Sequence, residues 1–496
     1  MDDTHLITLL SGFCFDFTHM FAPGGLKDEE LDALFPQLQA AEEGLSYIRR
    51  EGRAYHHLSK DGVPEAVYFT RLPYIAEDYP NTPQLMAQLE AFGKKVSQGF
   101  DVVLFSGVGG SYLGGKVLYD CYQSDFWTHH DTPAPKVFFV GNNMDTEDMK
   151  IIGATLLAMA NAVKEQEGRK LRVMLVPISK SGTTMEPTTG FLFFYDRCQK
   201  HADKMELSVT VVTDPAQKDG PLMRLSKAYD WEVFPVPYGI GGRFSVLSTP
   251  GLIVAATLGM NLSQLLAGAA NMDEVCRGSD WRRNPALFGA AVKYLAARDH
   301  GASIEVFMPY AMRLKALGEW YVQLLAESLG KREDRNGQTV FYGRTPLVAI
   351  GTTDMHAQTQ LHQDGIRDKV VQFLFIDSLK GKIHLHNPFP EIQSLRPYEN
   401  MDVGRALEIA MEANEEALMS DGRMSALYRL PQLDEFYLGQ MFYYLMLSIA
   451  YEGELANVDA FDQPGVEVYK KIMRRKLGKE WRRSKNRSFL TNGVSP

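Results

Sequence analysis

The stretch LRVMLVPISKSGTTMEP, residues 171–187, carries the clearest fold signal in the chain. It opens with the apolar run Val173–Ile178, whose length and composition are typical of a buried strand. Pro187 stands where the first residue of a helix is expected, and residues 188–200 show a helical pattern with basic residues in the last turn. A strand that leads through a short turn into a helix predicts a unit of an α/β fold.

The turn between this strand and helix has an unusual composition. Residues 179–184, SKSGTT, place four hydroxyl groups, a lysine and a glycine within six residues. The first N–H groups of a helix lack intrahelical partners and the helix dipole favours negative charge, so such a turn can bind a phosphate. The alternative is an ordinary helix cap, but a cap needs only one hydroxyl. The composition therefore favours an anion site.

Similar alternation extends in both directions along the chain. Residues 61–270 and 285–430 are each predicted to form a mainly parallel sheet flanked by helices, and ligands of such sheets bind beyond the carboxyl ends of the strands. Residues 1–60 are predicted to be a helical arm covering the first domain, residues 400–455 are predicted to be helical, and residues 431–496 to form a C-terminal helical segment with a basic, solvated tail. The predicted strands are 101–105, 136–140, 173–178, 208–213, 304–308, 347–350 and 370–376.

Composition limits the class of protein. A chain of 496 residues predicts two or three domains, and 45% hydrophobic with 23% charged residues is a globular composition. The formal charge of −9 disfavours a nucleic-acid partner. Four scattered cysteines without a CxxC motif indicate a reducing compartment, and the acidic start Met-Asp-Asp is unlike a secretory signal. No apolar run is long enough to cross a membrane, so we expect a cytoplasmic protein.

A second glycine-rich loop, SGVGGSYLGGK, follows the strand that ends at Phe105. A dinucleotide fingerprint would need glycine at position 112, which is tyrosine. A Walker A loop ending in Gly115-Lys116 would need a hydroxyl residue next, but position 117 is valine. Both nucleotide interpretations are weak, and a turn where backbone approaches a ligand closely remains.

Three further segments carry candidate chemistry. Arg243 lies in GGRFSVLS, where an arginine among glycines and serines can reach a ligand, although a surface arginine in a turn is the simpler interpretation. Residues 313–331 form a predicted helix whose apolar stripe leaves Gln323, Glu327 and Lys331 on the opposite face, which by spacing alone favours an exposed Glu–Lys pair. His356 lacks the partner spacing of a zinc helix, so no metal site is predicted.

Taken together, the motifs resemble those of the glucose-6-phosphate isomerase family, in order over residues 100–475. They are GVGGSYLG at 107–114, SKSGTT with Glu186, GGRFSVLS at 241–248, ESLGK at 327–331, the segment around His356, and NVDAFDQPGVEVYK at 457–470. The segment around His356 departs from the family pattern, since Thr353 and Met355 replace an asparagine and a glutamine.

The resemblance implies two sugar-isomerase-type α/β domains and the interconversion of glucose 6-phosphate and fructose 6-phosphate, without metal or organic cofactor. Ring opening would use His356 and Lys470, Glu327 would move the proton of a cis-enediolate, and Arg243 would stabilise its oxygens. The implied substrate-binding residues are Gly110, Ser111, Ser179, Lys180, Ser181, Thr183, Thr184, Glu186, Gln323 and Gln463.

The same resemblance leaves two alternative functions open and also implies an oligomeric state. A related phosphosugar isomerase could also act on mannose 6-phosphate. A non-catalytic sugar-phosphate sensor could keep the phosphate loop, but it would have no need of Glu327 and Lys470, and both are present. The resemblance also implies a homodimer with shared active sites, in which His356 reaches the partner's pocket.

Overall fold

A computed structural model gives the fold and describes residues 3–59, 61–122, 135–278, 280–379 and 381–491, with side chains up to residue 479. Two large sheets, one parallel and one mixed but mainly parallel, organise these residues. In chain order the strands are β1 (Leu6–Thr8), β2 (Cys14–Asp16), β3 (Arg53–Leu58), β4 (Pro64–Ala66), β5 (Val102–Ser106), β6 (Lys136–Val140), β7 (Leu171–Pro177), β8 (Met205–Thr213), β9 (Glu232–Pro235), β10 (Ile304–Pro309), β11 (Lys331–Glu333), β12 (Thr339–Tyr342), β13 (Thr345–Val348), β14 (Lys369–Ser378) and β15 (Ser425–Gln432).

Helices flank both sheets, and two of them, α8 and α14, are almost entirely buried. In chain order the helices are α1 (Asp28–Ala33), α2 (Phe35–Glu51), α3 (Pro83–Gly99), α4 (Leu113–Tyr122), α5 (Thr146–Glu167), α6 (Met185–Lys200), α7 (Pro221–Tyr229), α8 (Thr249–Leu258), α9 (Leu262–Val275), α10 (Pro285–Asp299), α11 (Lys315–Leu329), α12 (Met355–Asp364), α13 (Val403–Ser420), α14 (Glu435–Leu455) and α15 (Val466–Thr491).

The first sheet has the strand order β6-β5-β7-β8-β9, and every neighbouring pair is parallel. Its interior strand β5 is buried at all five positions, as expected for a strand covered by helices on both faces. Since β5 and β7 are adjacent and parallel, the glycine-rich loop and the SKSGTT turn lie at the same edge of the sheet. This adjacency creates the cleft described below.

The second sheet has the order β1-β2-β15-β14-β10-β13, in which the last four strands are parallel and β1 and β2 are antiparallel. The N-terminal segment therefore differs from the predicted helical arm of the first domain. Its strand β2 pairs with β15 of the second sheet, and residues 53–58 form a hairpin with β4. Apolar side chains of β2, such as the fully buried Phe15, stabilise this edge.

The α/β class and the parallel sheets predicted from the alternation are confirmed. The strands that were not predicted are the N-terminal β1 to β4, β9, the hairpin of β11 and β12, and β15 within the segment predicted to be helical. Helix α6 begins at Met185, two residues before Pro187, so this proline lies within the first turn, where its missing N–H costs little. The predicted solvated tail from residue 480 onward lies outside the described side chains.

Three findings concern membrane spans, metal sites and the cysteines. Among the residues that the structure describes, no helix is long and apolar enough to span a membrane. The same residues contain no group of three His, Cys, Asp or Glu side chains arranged to hold a metal ion. The four cysteines are free thiols.

Candidate active site

Helix α11 presents two different faces. The stripe that includes Leu317, Tyr321 and Leu324 is completely buried, as its spacing predicts. On the other face Glu327 is about a quarter exposed, and its Oε1 accepts a hydrogen bond from Nε2 of Gln323 at 3.0 Å. The buried stripe holds the helix in place, so the Glu327 carboxylate has a fixed position at the edge of a cleft.

Arg243 lies next to this carboxylate. Its side chain is 1% exposed, and its Nη1 is 3.4 Å from Oε2 of Glu327. Burial lowers the pKa of Arg243, while the carboxylate of Glu327 opposes that effect. The guanidinium still remains charged at neutral pH because the reference pKa of arginine is so high. The cleft thus contains a fixed positive charge beside a carboxylate, which is the pairing needed to stabilise an anionic intermediate.

The remaining N–H groups of Arg243 are all used inside the protein. Nε donates to Oγ of Ser328 at 2.7 Å, and Nη2 donates to the carbonyl oxygens of Ala460 and Asp462 at 2.6 and 3.0 Å. Nη1 donates to Oε1 of Gln463 at 2.7 Å. Only Nη1 donates to side chains that are partly or fully exposed, those of Glu327 and Gln463. This edge of the guanidinium is therefore the part that can donate to a ligand instead.

The glycine-rich loop packs directly on the segment that carries Arg243. A Cβ atom on Gly110 would lie only 2.0 Å from the carbonyl oxygen of Gly242. Ser245 secures this contact, because its hydroxyl donates to the carbonyl oxygens of Gly110 and Gly242 at 3.1 and 2.7 Å. Ser111 follows in the same short turn before α4. The loop therefore uses glycine for close packing of two backbones as well as for any approach to a ligand.

The SKSGTT turn lies between β7 and α6, as predicted. Ser179 is buried, and its hydroxyl accepts a hydrogen bond from the Gly182 N–H at 3.1 Å, so it shapes the turn. Ser181 and Thr183 are more exposed, and their hydroxyls lie 3.0 Å apart. Thr184 precedes the first residue of α6 and its side chain makes no capping bond. Hydroxyls that helix capping does not use are available to an anion.

A cavity of about 460 Å³ joins this turn to the C-terminal loop. Lys180, Gln463 and Glu467 line it. Glu467 lies in the first turn of α15, and its Oε1 is 3.1 Å from Nζ of Lys470. Glu186, also predicted to bind the substrate, lies in the first turn of α6. The cavity thus connects Lys180 of the turn to the C-terminal loop, whose Gln463 binds Arg243.

His356 is not among the residues that line this cavity. It occupies the first turn of α12 and is exposed. Its imidazole has no hydrogen-bond partner among the residues that the structure describes. Within one chain, the structure does not bring His356 to Glu327.

Lys331 was interpreted from spacing as one half of an exposed ion pair, and that interpretation is wrong. The residue is 6% exposed. Its Nζ donates to the carbonyl oxygens of Glu327 and Asp462 at 2.7 and 2.8 Å, and Oδ1 of Asp462 lies 3.1 Å away. Burial lowers the pKa of Lys331, and the Asp462 carboxylate opposes this shift. Lys331 thus ties the end of α11 to the C-terminal loop.

A contact of His57 also holds the C-terminal loop in place, and no sequence pattern predicted it. His57 of β3 lies 2.8 Å from Oδ2 of Asp459 through its Nδ1, and Oδ1 of Asp459 accepts from the Phe461 N–H at 2.9 Å. The hairpin of β3 and β4 thus steadies the loop whose carbonyl oxygens bind Arg243. Residues 53–58 lie in the segment predicted to be a helical arm, and a histidine there carries no spacing signature.

The family model described as phosphoglucose isomerase matches residues 80–493. A glucose-6-phosphate isomerase of Carboxydothermus hydrogenoformans is 33% identical over 425 residues, which are 85% of this chain and 87% of the relative. One from Rubrobacter xylanophilus is 32% identical, with 94% of this chain and 98% of the relative covered.

Solved structures also have this fold. A glucose-6-phosphate isomerase of Chlamydia trachomatis superposes with a TM-score of 0.75 at 21% identity, covering 99% of this chain and 94% of the other. A hypothetical protein of Thermus thermophilus superposes with a TM-score of 0.73 at 27% identity, covering 94% of this chain and 99% of the other. The similarity therefore extends over nearly the whole chain.

Proposed function

The chain belongs to the phosphoglucose isomerase family, and on this premise we propose that it interconverts glucose 6-phosphate and fructose 6-phosphate in the cleft around Glu327. The reaction is an aldose–ketose isomerisation. It requires an anion site, ring opening and the transfer of one proton between C2 and C1. The observation that carries the proposal is the buried, charged Arg243 held 3.4 Å from a partly exposed carboxylate.

Glu327 is the base that moves the proton. A single carboxylate can take the proton from one carbon and return it to the other. Its position is supported by the hydrogen bond from Gln323 and by the buried stripe of α11 beneath it. Arg243 stabilises the negative charge of the enediolate oxygens through its Nη1 edge, after Gln463 yields that donor.

The phosphate group binds at the N-terminus of α6. Ser181, Thr183 and Thr184 supply hydroxyl donors, the backbone N–H groups of the first turn add further donors, and the helix dipole favours the negative charge. Lys180 adds a positive charge at the mouth of the cavity. As the family motifs imply, Ser179 and Glu186 belong to this site, while Gly110 and Ser111 contact the sugar.

Ring opening uses His356 and Lys470. Lys470 is supported by its pairing with Glu467, a residue that lines the cavity. His356 acts on the active site of a second copy of the chain in a homodimer. This assignment is supported by the exposure of His356 and by the exposed apolar side chains Leu361 and Ile366 near it.

A cytoplasmic, glycolytic role completes the proposal, supported by the free thiols of all four cysteines. The motifs do not distinguish an enzyme specific for glucose 6-phosphate from one that also converts mannose 6-phosphate.

The test combines activity with one substitution. Purified protein should form glucose 6-phosphate from fructose 6-phosphate in a coupled assay. Glu327→Gln should lower kcat at least ~10²-fold while leaving substrate affinity nearly unchanged, because the amide keeps the shape but is not a base. Glu319→Gln, an exposed carboxylate on the same helix, serves as the control and should retain full activity. A Glu327→Gln enzyme within a few-fold of wild type would remove this residue from the mechanism.

A further inference from the structure

A second, smaller cavity of about 170 Å³ lies at the amino ends of β14 and β15. None of the residues that line it also lines the larger cavity, so the two cavities are distinct. Helix α12 contributes His362, which lies in its last turn, to the smaller cavity. Gly24 and Gly422 line the cavity on the side of the N-terminal segment. The two turns pack closely, since a Cβ on Gly422 would lie 2.4 Å from the carbonyl oxygen of Pro23.

Cationic side chains from three segments converge on this cavity. Arg367 precedes β14, Lys369 begins it, and Arg423 precedes β15. The side chains of Lys369 and Arg423 are only 7% and 10% exposed, so their charges are largely removed from water. Buried positive charges in one small cavity attract an anion strongly because solvent screens them little.

Carboxylates near the cavity pair with these cationic side chains. Asp421 pairs with Arg423 at 2.8 Å and with Arg367 at 3.0 Å, so one carboxylate serves two guanidinium groups. Asp368 pairs with Lys369. Asp421 and Asp368 thus serve all three cations, while a third carboxylate, that of Glu30, pairs with His300.

His300 also lines the cavity, but its imidazole is already bound. Its Nε2 lies 3.0 Å from Oε1 of Glu30.

His362 is different. It is 3% exposed, and its imidazole has no hydrogen-bond partner among the described residues. Its ring nitrogens are not among the fully buried atoms that lack a partner, so they keep contact with the cavity, where a ligand or water can bind them. Burial lowers the pKa of His362, and the charges of Lys369 and Arg423 lower it further.

From this geometry we propose that the cavity formed by His362, Arg367, Lys369 and Arg423 binds a phosphate group, either free or as the end of a small phosphorylated metabolite. The phosphate oxygens accept hydrogen bonds from the imidazole and from the cationic side chains. The volume is below that of typical pockets for drug-sized ligands, which are roughly 300–1,000 Å³, so the ligand is a small anion rather than a nucleotide. A bound phosphate accepts a hydrogen bond from the imidazole and favours its protonated form, so the affinity for phosphate increases as the pH falls.

The test observes His362 itself in the full-length protein. Histidine side chains are labelled for NMR, and the His362 signal is identified by its loss in His362→Gln. Inorganic phosphate and methyl phosphate are titrated separately at constant ionic strength, and the tighter ligand identifies the source of the phosphate group. We expect a saturable shift of the His362 signal and a higher pKa for this imidazole. No saturable shift up to roughly 10 mM of either ligand would overturn the proposal.

Two comparisons make the result specific. Arg367→Gln combined with Lys369→Gln should weaken binding at least ~10-fold, since two charge-assisted contacts are lost. Arg405→Gln removes an exposed arginine of α13 and should leave affinity unchanged. The response must persist in a Ser181→Ala and Thr183→Ala protein, whose own phosphate site is weakened. A His362 response that disappears in that protein would assign the effect to the active site and refute a second site.

Discussion

Each N–H group of Arg243 has an acceptor within the protein, so single residues around it have measurable effects. Ser328 accepts from Nε at 2.7 Å in a fully buried setting. Ser328→Ala leaves a buried, charged donor without an acceptor and should lower the free energy of unfolding by about 1.5–3 kcal/mol. Urea denaturation measures this, with Ser97→Ala on the exposed face of α3 as the control. Equal stabilities of the two variants would contradict the bonding described for Arg243.

Gly110 gives a second prediction at the scale of one residue. Gly110→Ala places a methyl group 2.0 Å from the carbonyl oxygen of Gly242, which belongs to backbone and cannot turn away. The two loops must separate, at a cost of about 1–3 kcal/mol typical of overpacking.

The matched control for Gly110 is Gly99→Ala at the end of α3, where a Cβ has no neighbour within 4 Å. The control should be neutral or slightly stabilising, because alanine favours a helix over glycine. Thermal unfolding of both variants checks the difference. A Gly110→Ala protein as stable as Gly99→Ala would show that the loops do not pack as described.

At the scale of elements, a buried network of charges joins β10 to the helices beside it. Glu305 of β10 accepts from Nε of Arg344 at 2.9 Å and from the Tyr321 hydroxyl of α11 at 2.5 Å. Lys293 of α10 lies 3.6 Å from Glu305, and Arg344 also binds Glu452 of α14. The network therefore fixes α11, the helix that carries Glu327, to the second sheet.

This network predicts a pH dependence of stability. Burial opposes ionisation of Glu305, but Lys293 and Arg344 lower its pKa to about 2. The unfolded carboxyl binds its proton near pH 4.5, so the contribution is present above that pH and is lost as the pH falls towards 2. The free energy of unfolding should therefore decrease with falling pH in this window.

Urea titrations at several pH values measure the slope. Glu305→Gln should flatten it, whereas the exposed control Glu412→Gln should retain the wild-type slope. A wild-type slope in Glu305→Gln would remove this carboxyl from the acid response.

At the scale of the whole molecule, the proposed homodimer predicts complementation. Inactive His356→Ala and Glu327→Gln chains are mixed under conditions that exchange subunits. If His356 acts on the partner's site, a mixed dimer has one doubly altered site and one intact site, so activity returns. The activity of the mixture is measured against each parent alone, with subunit exchange followed independently by labelled chains. If exchange occurs and the mixture stays inactive, the shared site is refuted.

Local sequence was sufficient for elements whose signal lies within a few residues. The apolar run before SKSGTT predicted β7, since a strand covered on both faces needs continuous apolar residues. The stripe of α11 predicted its buried face for a similar reason. The segment of β15, residues 425–432, mixes polar and apolar residues and was included in a helical region. Its state depends on pairing with β14 and β2, which no local pattern encodes.

The sequence alone determined the α/β class, through the alternation of predicted strands and helices. Its motifs determined the family resemblance and the residues proposed for catalysis. Tertiary structure alone decided how those residues are held. Gln463 reaches Arg243 across 220 positions of sequence, and Lys331 is buried only because the C-terminal loop folds over it. The cationic cavity around His362 likewise forms from separate segments. The physical reason is that burial and hydrogen bonding depend on neighbours in space, and distant parts of the chain supply most of those neighbours.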